Sequence, residues 1–257
     1  MKNELLYLSG NDIPIPEHQI IIHQPTIREI AYINEFNFFA GCELLGLSKQ
    51  SLLFKDKSLL EKQTDFDIIM SIIKNKNDIN AQKQTEGVFL ILTLLFPEYQ
   101  IDIQSNKIVF IKEQEENQQE YFELNNETYP LFKEHLLGMF NLKQQKQYDD
   151  YNPQGAMAKK IAEKLRKGKE KTQQLKSEQM QDISVLSRYV SVLAVGQKKD
   201  MNTILNYTVF QLYDEYNRFI LKQQSDTYLQ AKMAGAQNLG EIQDWTADLY
   251  SLDNDFI

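Results

Sequence analysis

An α+β unit followed by an all-α half is the architecture this sequence predicts, and three observations predict it. Short apolar runs broken by Gly and Pro, some with strict two-residue alternation, are confined to the first 142 residues. After Pro153 there is no further proline, and apolar residues recur at spacings of three and four. Between the two, Lys143 to Tyr151 (KQQKQYDDY) carries no aliphatic side chain. The division is therefore an α+β domain over 1–142, a linker over 143–153 and a helical domain over 154–257, with helix predominating overall.

Within the first unit, Leu5–Leu8 and Gln19–His23 read as two strands set apart by Gly10, Pro14 and Pro16. Thr26 followed three residues later by Glu29 has the spacing of a capping box, in which each side chain satisfies the other residue's free backbone N–H. Ile27, Ile30, Ile33 and Phe38 carry the apolar face of that helix onward. Thr64 with Asp67 marks a second start, ahead of Ile68, Ile69, Ile72 and Ile73. Glu86 to Phe96 is apolar nearly all round, which predicts a buried helix stopped by Pro97. Tyr99–Ile103 and Lys107–Ile111 flank Ser105-Asn106 and predict a hairpin. Tyr121–Leu124 adds a strand, and a helix from about Asn126 to Phe140 closes the unit.

The helical half opens at Asn152-Pro153, an N-cap followed by proline where a missing N–H is harmless. Ala158, Ile161, Leu165, Gly168, Thr172 and Leu175 form a seam on the first helix. Only three are large aliphatics, so at about 25 cal/mol per Å² the helix buries too little to stand without a neighbour. Ile183–Val195 has apolar residues on two faces and is expected at the centre of the bundle. Leu205 to about Ala234 reads as one long helix, bracketed by Gly235 and Gly240, and Ile242, Trp245 and Leu249 begin a short last one.

Composition excludes several functions. The 257 residues carry 28 Lys+Arg against 36 Asp+Glu, a net charge of −8, with a single Cys. Cys42 alone rules out a disulfide-stapled secreted fold. No apolar run approaches the roughly 20 residues that cross a bilayer, and the N-terminal residues lack a signal-peptide pattern, so a cytoplasmic, non-membrane protein is expected. A net acidic chain is a poor general binder of polyanions.

The chemistry-bearing residues point away from catalysis. His18 and His23 would lie on opposite faces of one strand, His135 stands alone on a helix, and Cys42 has no nearby partner, so no metal ligand set is expected. G-x-S-x-G, G-x-x-x-x-G-K-[ST] and G-x-G-x-x-G are all absent, which removes the usual signatures of acyl transfer, phosphate cradling and dinucleotide binding. The acidic pairs Asp65/Asp67, Asp149/Asp150, Asp244/Asp248 and Asp253/Asp255 read as solvated surface. No catalytic residue, cofactor or metal is expected, and the chain is expected not to be an enzyme.

Charge is most patterned on the first helix of the second half. Lys160, Lys164, Lys167 and Lys171 fall on one face, widened by Lys159, Arg166 and Lys169. Such a stripe can contact phosphates, but no aromatic is interleaved for base stacking. Residues 241–257 hold Glu241, Asp244, Asp248, Asp253 and Asp255 with no Lys or Arg, so the stripe can instead pair with acidic protein, within the chain or between copies in a homo-oligomer. The partner-binding candidates are Ile161, Leu165 and Leu175 for the seam, the four lysines for the electrostatic face, and Trp245 as an anchor, tryptophan being enriched at binding hot spots.

Several strings carry a resemblance. They are Ser9-Gly10-Asn11-Asp12-Ile13-Pro14-Ile15, Pro25-Thr26-Ile27-Arg28-Glu29-Ile30, Tyr207-Thr208-Val209-Phe210-Gln211-Leu212-Tyr213-Asp214-Glu215 with Arg218, Ala231-Lys232-Met233-Ala234-Gly235-Ala236, and Asp244-Trp245. Together they resemble the tail-module proteins of tailed phages of low-GC Gram-positive bacteria, and within that group most of all the tail assembly chaperones. The resemblance spans most of the chain and rests on short strings, none of them a catalytic fingerprint. It implies a non-enzymatic protein of the host cytoplasm that binds the tape measure protein and tail-tube subunits. A structural virion protein (connector or tail-completion) and a nucleic-acid-binding regulator using residues 159–171 are the alternatives.

Overall fold

The computed structural model describes residues 4–15, 20–49, 63–74, 79–113, 119–142, 184–237, 240 and 244–246. Helix α1 (Glu4–Ser9) comes first, where the sequence reads as a strand. A four-residue apolar run has no period of its own, and here the backbone decides. Gly10, at φ 70°, returns its N–H to the Tyr7 carbonyl, and Ser9 Oγ donates to Leu6 O at 2.7 Å, so the segment closes as a helical turn. Only Tyr7 of this helix is buried. Strands β1 (Ile13–Ile15) and β2 (Ile20–Ile22) pair antiparallel, and alternation buries Ile13, Ile15, Ile20 and Ile22 while Ile21 faces out.

The capping box at Thr26 is formed as its spacing predicts and starts α2 (Ile27–Ile33). Asn34 then takes φ 72° and ψ 125°, outside the helical region, and its Oδ1 accepts from Phe36 N at 2.8 Å. That break divides the predicted continuous face, and α3 (Glu35–Leu45) starts afresh. The Thr64–Asp67 start is also formed: Thr64 N donates to Asp67 Oδ2 at 2.9 Å and Asp67 N to Thr64 Oγ1 at 3.1 Å, ahead of α4 (Asp65–Lys74).

Helix α5 (Ile79–Leu95) crosses α3 at unusually short range, glycine against glycine. A Cβ on Gly41 would sit 2.4 Å from the Gly87 carbonyl oxygen, so the missing side chains are what let the two backbones approach. Val88, Ile91, Leu92 and Leu95 are buried at that crossing. The expectation of a helix buried all round is corrected on one side: Phe89 is exposed, and exposed Thr93 donates to its carbonyl.

Strands β3 (Gln100–Ile103), β4 (Ile108–Glu113) and β5 (Gln119–Leu124) form the predicted hairpin and its added strand, an antiparallel meander. Phe110 and Phe122 are directly paired across β4 and β5, their rings stacked 4.3 Å apart, and both pack on Phe96. Helix α6 (Tyr129–Met139) follows and packs against α1 and α3. Its Lys133 is buried, and Nζ donates to Asp65 Oδ2 at 2.8 Å and Leu47 O at 2.6 Å, so the charge is paired where it is desolvated.

In the second half, α7 (Val185–Gln197) is capped by Ser184, whose hydroxyl accepts from Ser187 N at 3.0 Å. The long helix predicted over Leu205 to about Ala234 is α9 (Val209–Met233), starting four residues later, and a short α8 (Met201–Leu205) precedes it. Thr208 restarts the helix through a second capping box with Gln211, a T-x-x-Q signal present in the sequence. Helix α9 ends with the N–H of Gly235 on Lys232 O and that of Ala236 on Ala231 O, the bonding of a Schellman stop, with Gly235 at φ 84°. Leu186, Val190, Leu193, Ile204, Val209, Phe210 and Leu212 join one hydrophobic core with Ile27, Ile30, Phe38 and Phe140 of the first half. The α+β unit followed by helices is thus the observed architecture.

Candidate protein interface

Of the predicted binding residues, Trp245 is described; Lys160, Ile161, Lys164, Leu165, Lys167, Lys171 and Leu175 lie outside the described residues, as does the linker 143–153. Trp245 sits in a turn where a helix start was expected. Asp244 Oδ1 accepts from Thr246 N at 2.9 Å and from its hydroxyl at 2.8 Å, so the aspartate spends its side chain on closing a local turn. Trp245 is 39 % exposed, and its carbonyl accepts from Arg218 Nη1 at 3.4 Å.

That contact places Trp245 at the rim of an open cleft of about 670 Å³. The cleft is bounded by Leu8 at the end of α1, Gln197 at the end of α7, Tyr207, and the α9 face bearing Asp214, Arg218 and Phe219. Each wall has a cause in the sequence. Gln211 completes the α9 cap by accepting from Thr208 N at 2.9 Å, and its Nε2 donates to Leu8 O at 2.9 Å, tying α1 to α9. Gly196 lets the Phe219 ring lie on α7, since a Cβ there would meet Phe219 Cζ at 2.3 Å. One turn earlier, Tyr216 stacks on Tyr189 at 3.8 Å and Tyr213 meets the same ring edge-on at 5.4 Å, so these α9 aromatics serve packing.

Charge in the cleft is matched within the chain. Arg218 Nε donates to both Asp214 oxygens at 3.1 and 3.2 Å, one helical turn apart. Lys199 donates to Glu215 and, at 3.0 Å, to the Tyr207 hydroxyl, with its Nζ 5.5 Å from that ring centre. Burial pulls the Lys199 ammonium down, but its bonds to Glu215 and Tyr207 outweigh that and hold it above the ordinary lysine value, so it stays charged. Lys222 pairs with Asp226 at 2.6 Å.

The sequence singles out Trp245 among the residues at the cleft and gives no sign of Leu8, Gln197 or Lys199. The Asp214–Arg218 spacing was open to reading as a helical ion pair. The other three meet only through docking of α1 and α7 on α9, which leaves no local signal. Among the described residues no group of His, Cys, Asp and Glu is arranged to hold a metal ion, and no helix is long and apolar enough to cross a membrane. His23, half-buried, bridges Asp12 Oδ1 at 2.8 Å and Glu29 Oε1 at 3.2 Å, and buried His135 pairs through Nδ1 with the Tyr7 hydroxyl at 3.2 Å.

The cleft therefore belongs to a helical module built on an α+β unit, with an aromatic rim and internally balanced charge. Residues 176–250, which span α7, α8, α9 and Trp245, match the family model of the YomV second domain, a phage-associated family. The chain matches no curated protein and no solved structure.

Proposed function

We propose that this chain is a phage protein that works by binding other proteins, without catalysis, and that its role is that of a tail assembly chaperone: it engages the tape measure protein and tail-tube subunits in the host cytoplasm. The observation that carries the reading is the long helix of the phage-associated region. Helix α9 has 25 residues, about 37 Å at 1.5 Å per residue, and its buried residues, Val209, Phe210 and Leu212, all lie in the first turn. Leu229 and Met233 near its far end are 51 % and 88 % exposed, and the cleft with Trp245 lies along its N-terminal half. Apolar side chains exposed at the far end of a long helix, and a half-exposed tryptophan at the cleft on its first half, are the chemistry of a protein-binding surface. The resemblance of the sequence to tail assembly chaperones supplies the particular partner.

Co-expression of the tagged chain with the tape measure and tail-tube proteins of the encoding phage, followed by affinity purification and mass spectrometry, tests the reading. Recovery of the tape measure protein is the expected result. Recovery of nucleic acid alone, or of the chain alone, overturns it and brings the lysines at 160, 164, 167 and 171 forward as a phosphate-binding face or a self-association contact.

A further inference from the structure

Glu215, Arg218, Lys222, Asp226, Leu229 and Met233 recur along α9 at spacings of three and four, which sets them on one face of the helix. The first three line the open cleft together with Leu8, Phe219 and Trp245. The last two are the exposed apolar side chains of the far end. One helix face thus carries a recess with apolar walls and, further along, two apolar side chains open to solvent. Phe219 and Leu229 stand ten residues apart, about 15 Å at 1.5 Å per residue. Between them lie Lys222 and Asp226, both half exposed. A two-fold axis across this face, level with residue 224, makes the stripe its own complement. Two antiparallel copies of α9 about that axis set Lys222 level with Asp226 of the second copy and Phe219 level with its Leu229, each contact occurring twice. Met233 comes level with Glu215, at the Tyr207 wall of the cleft. Parallel pairing in step instead sets Lys222 on Lys222 and Asp226 on Asp226, like charge on like. Lys222 and Asp226 already bond within the helix at 2.6 Å, so across the contact they select the antiparallel arrangement while the apolar side chains supply the affinity.

We propose that the chain pairs with a second copy of itself through this face of α9, antiparallel about residue 224, with Leu229 of each copy seated against Phe219 and Trp245 in the cleft of the other. The contact uses the same patch on both copies, so it closes at a dimer. It covers the side chains offered to a partner protein, and a second copy and a partner therefore exclude one another there. The pairing stands whether or not that partner is the tape measure protein.

Sedimentation equilibrium of the full chain tests the pairing. The expected result is a monomer–dimer equilibrium with no larger species. Leu229→Asp, at an exposed position, should weaken the dimer by about tenfold or more, because it sets a carboxylate against the Phe219 ring. Lys222→Glu and Asp226→Lys should each weaken it, and the two exchanges together should restore it, with the far-ultraviolet circular dichroism unchanged throughout. If Leu229→Asp alters the circular dichroism, Leu229→Gln replaces it, with the same direction expected. Trp245 is the only tryptophan, so its emission reports on the cleft and should change on dilution through the same equilibrium. A monomer up to near-millimolar concentration, assembly beyond a dimer, or a dimer that leaves Trp245 emission unchanged overturns the proposal. So does a dimer that a folded Leu229 variant leaves intact, the result expected if copies join through the lysines at 160–171 and the acidic C-terminus. Failure of the double exchange to restore what the single ones lose overturns the antiparallel arrangement, and the proposal with it. No tail protein enters this test, so a negative result leaves the partner reading to be judged by co-purification alone.

Discussion

Thr26 and Thr208 face each other across an isolated antiparallel β-bridge, and each is the N-cap of a helix, α2 and α9. The Ile27 N–H donates to Tyr207 O at 2.8 Å beside the bridge. Two capping boxes 182 residues apart in number thus share one backbone junction, and through it the helices that carry the cleft are registered on the α+β unit.

Thr208 is buried, and its hydroxyl accepts from Gln211 N. Thr208→Ala is expected to cost about 1 kcal/mol of stability, the usual loss for a cap, and Thr26→Ala about the same. The double variant should depart from the sum, because the two positions share the bridge. Urea denaturation of the four proteins measures the coupling.

Glu35, at the first position of α3, caps a helix far from its own. Its Oε1 accepts from Val185 N at 2.8 Å and Leu186 N at 3.1 Å, and the carboxylate also accepts from the Ser184 hydroxyl. An anion at a helix N-terminus satisfies free N–H groups and opposes the helix dipole. Glu35→Ala should cost about 1–2 kcal/mol and raise amide exchange at Val185 and Leu186 by about tenfold.

Gly41 is where α3 and α5 touch. Gly41→Ala drives a Cβ into the Gly87 backbone, which cannot swing aside as a side chain could. A loss of about 3 kcal/mol is expected, against a change within about 0.5 kcal/mol for Gly240→Ala, which meets nothing within 4 Å. Thermal melts of the two variants make the comparison.

Acid sensitivity follows from the caps. Burial pushes the Glu29 carboxyl up, but hydrogen bonds from the Thr26 backbone and hydroxyl, with the His23 ring beside it, bring it below its ordinary value. The Thr64 backbone N–H, with Asn126 and the Thr64 hydroxyl, lowers Asp67 in the same way. A carboxyl lowered in the folded state adds stability that is fully present above its unfolded value and is lost as pH falls through its folded one. These two contributions should therefore be intact above about pH 4.5 and fade below it. Replacing Glu29 and Asp67 together by Gln and Asn should flatten that part of the pH–stability curve.

Much of the fold was legible because its signals are local. Thr26 with Glu29 and Thr64 with Asp67 satisfy themselves within one turn, and the alternation on either side of Ser105-Asn106 needs only the sheet's period of two. Leu5–Leu8 was not legible: four apolar residues fit a strand or a helix, and the Gly10 turn together with the burial of Tyr7 decided between them. The start of α9 at Thr208, and not at Leu205, had the Thr208–Gln211 spacing as its one local sign. Trp245 could be picked out because a lone tryptophan in a polar setting is conspicuous. Its neighbours Leu8 and Gln197 could not, since their place in the cleft depends on how α1 and α7 dock on α9.

The most direct test of the proposed role is co-purification with co-expressed tape measure and tail-tube proteins, carried out side by side for the parent chain and for Leu8→Glu and Trp245→Ala. The parent is expected to retain the tape measure protein, and both variants, folded by circular dichroism, to lose most of it. Equal recovery by all three would contradict the placement of the partner in the cleft, and recovery of no tail protein by the parent would contradict the chaperone reading.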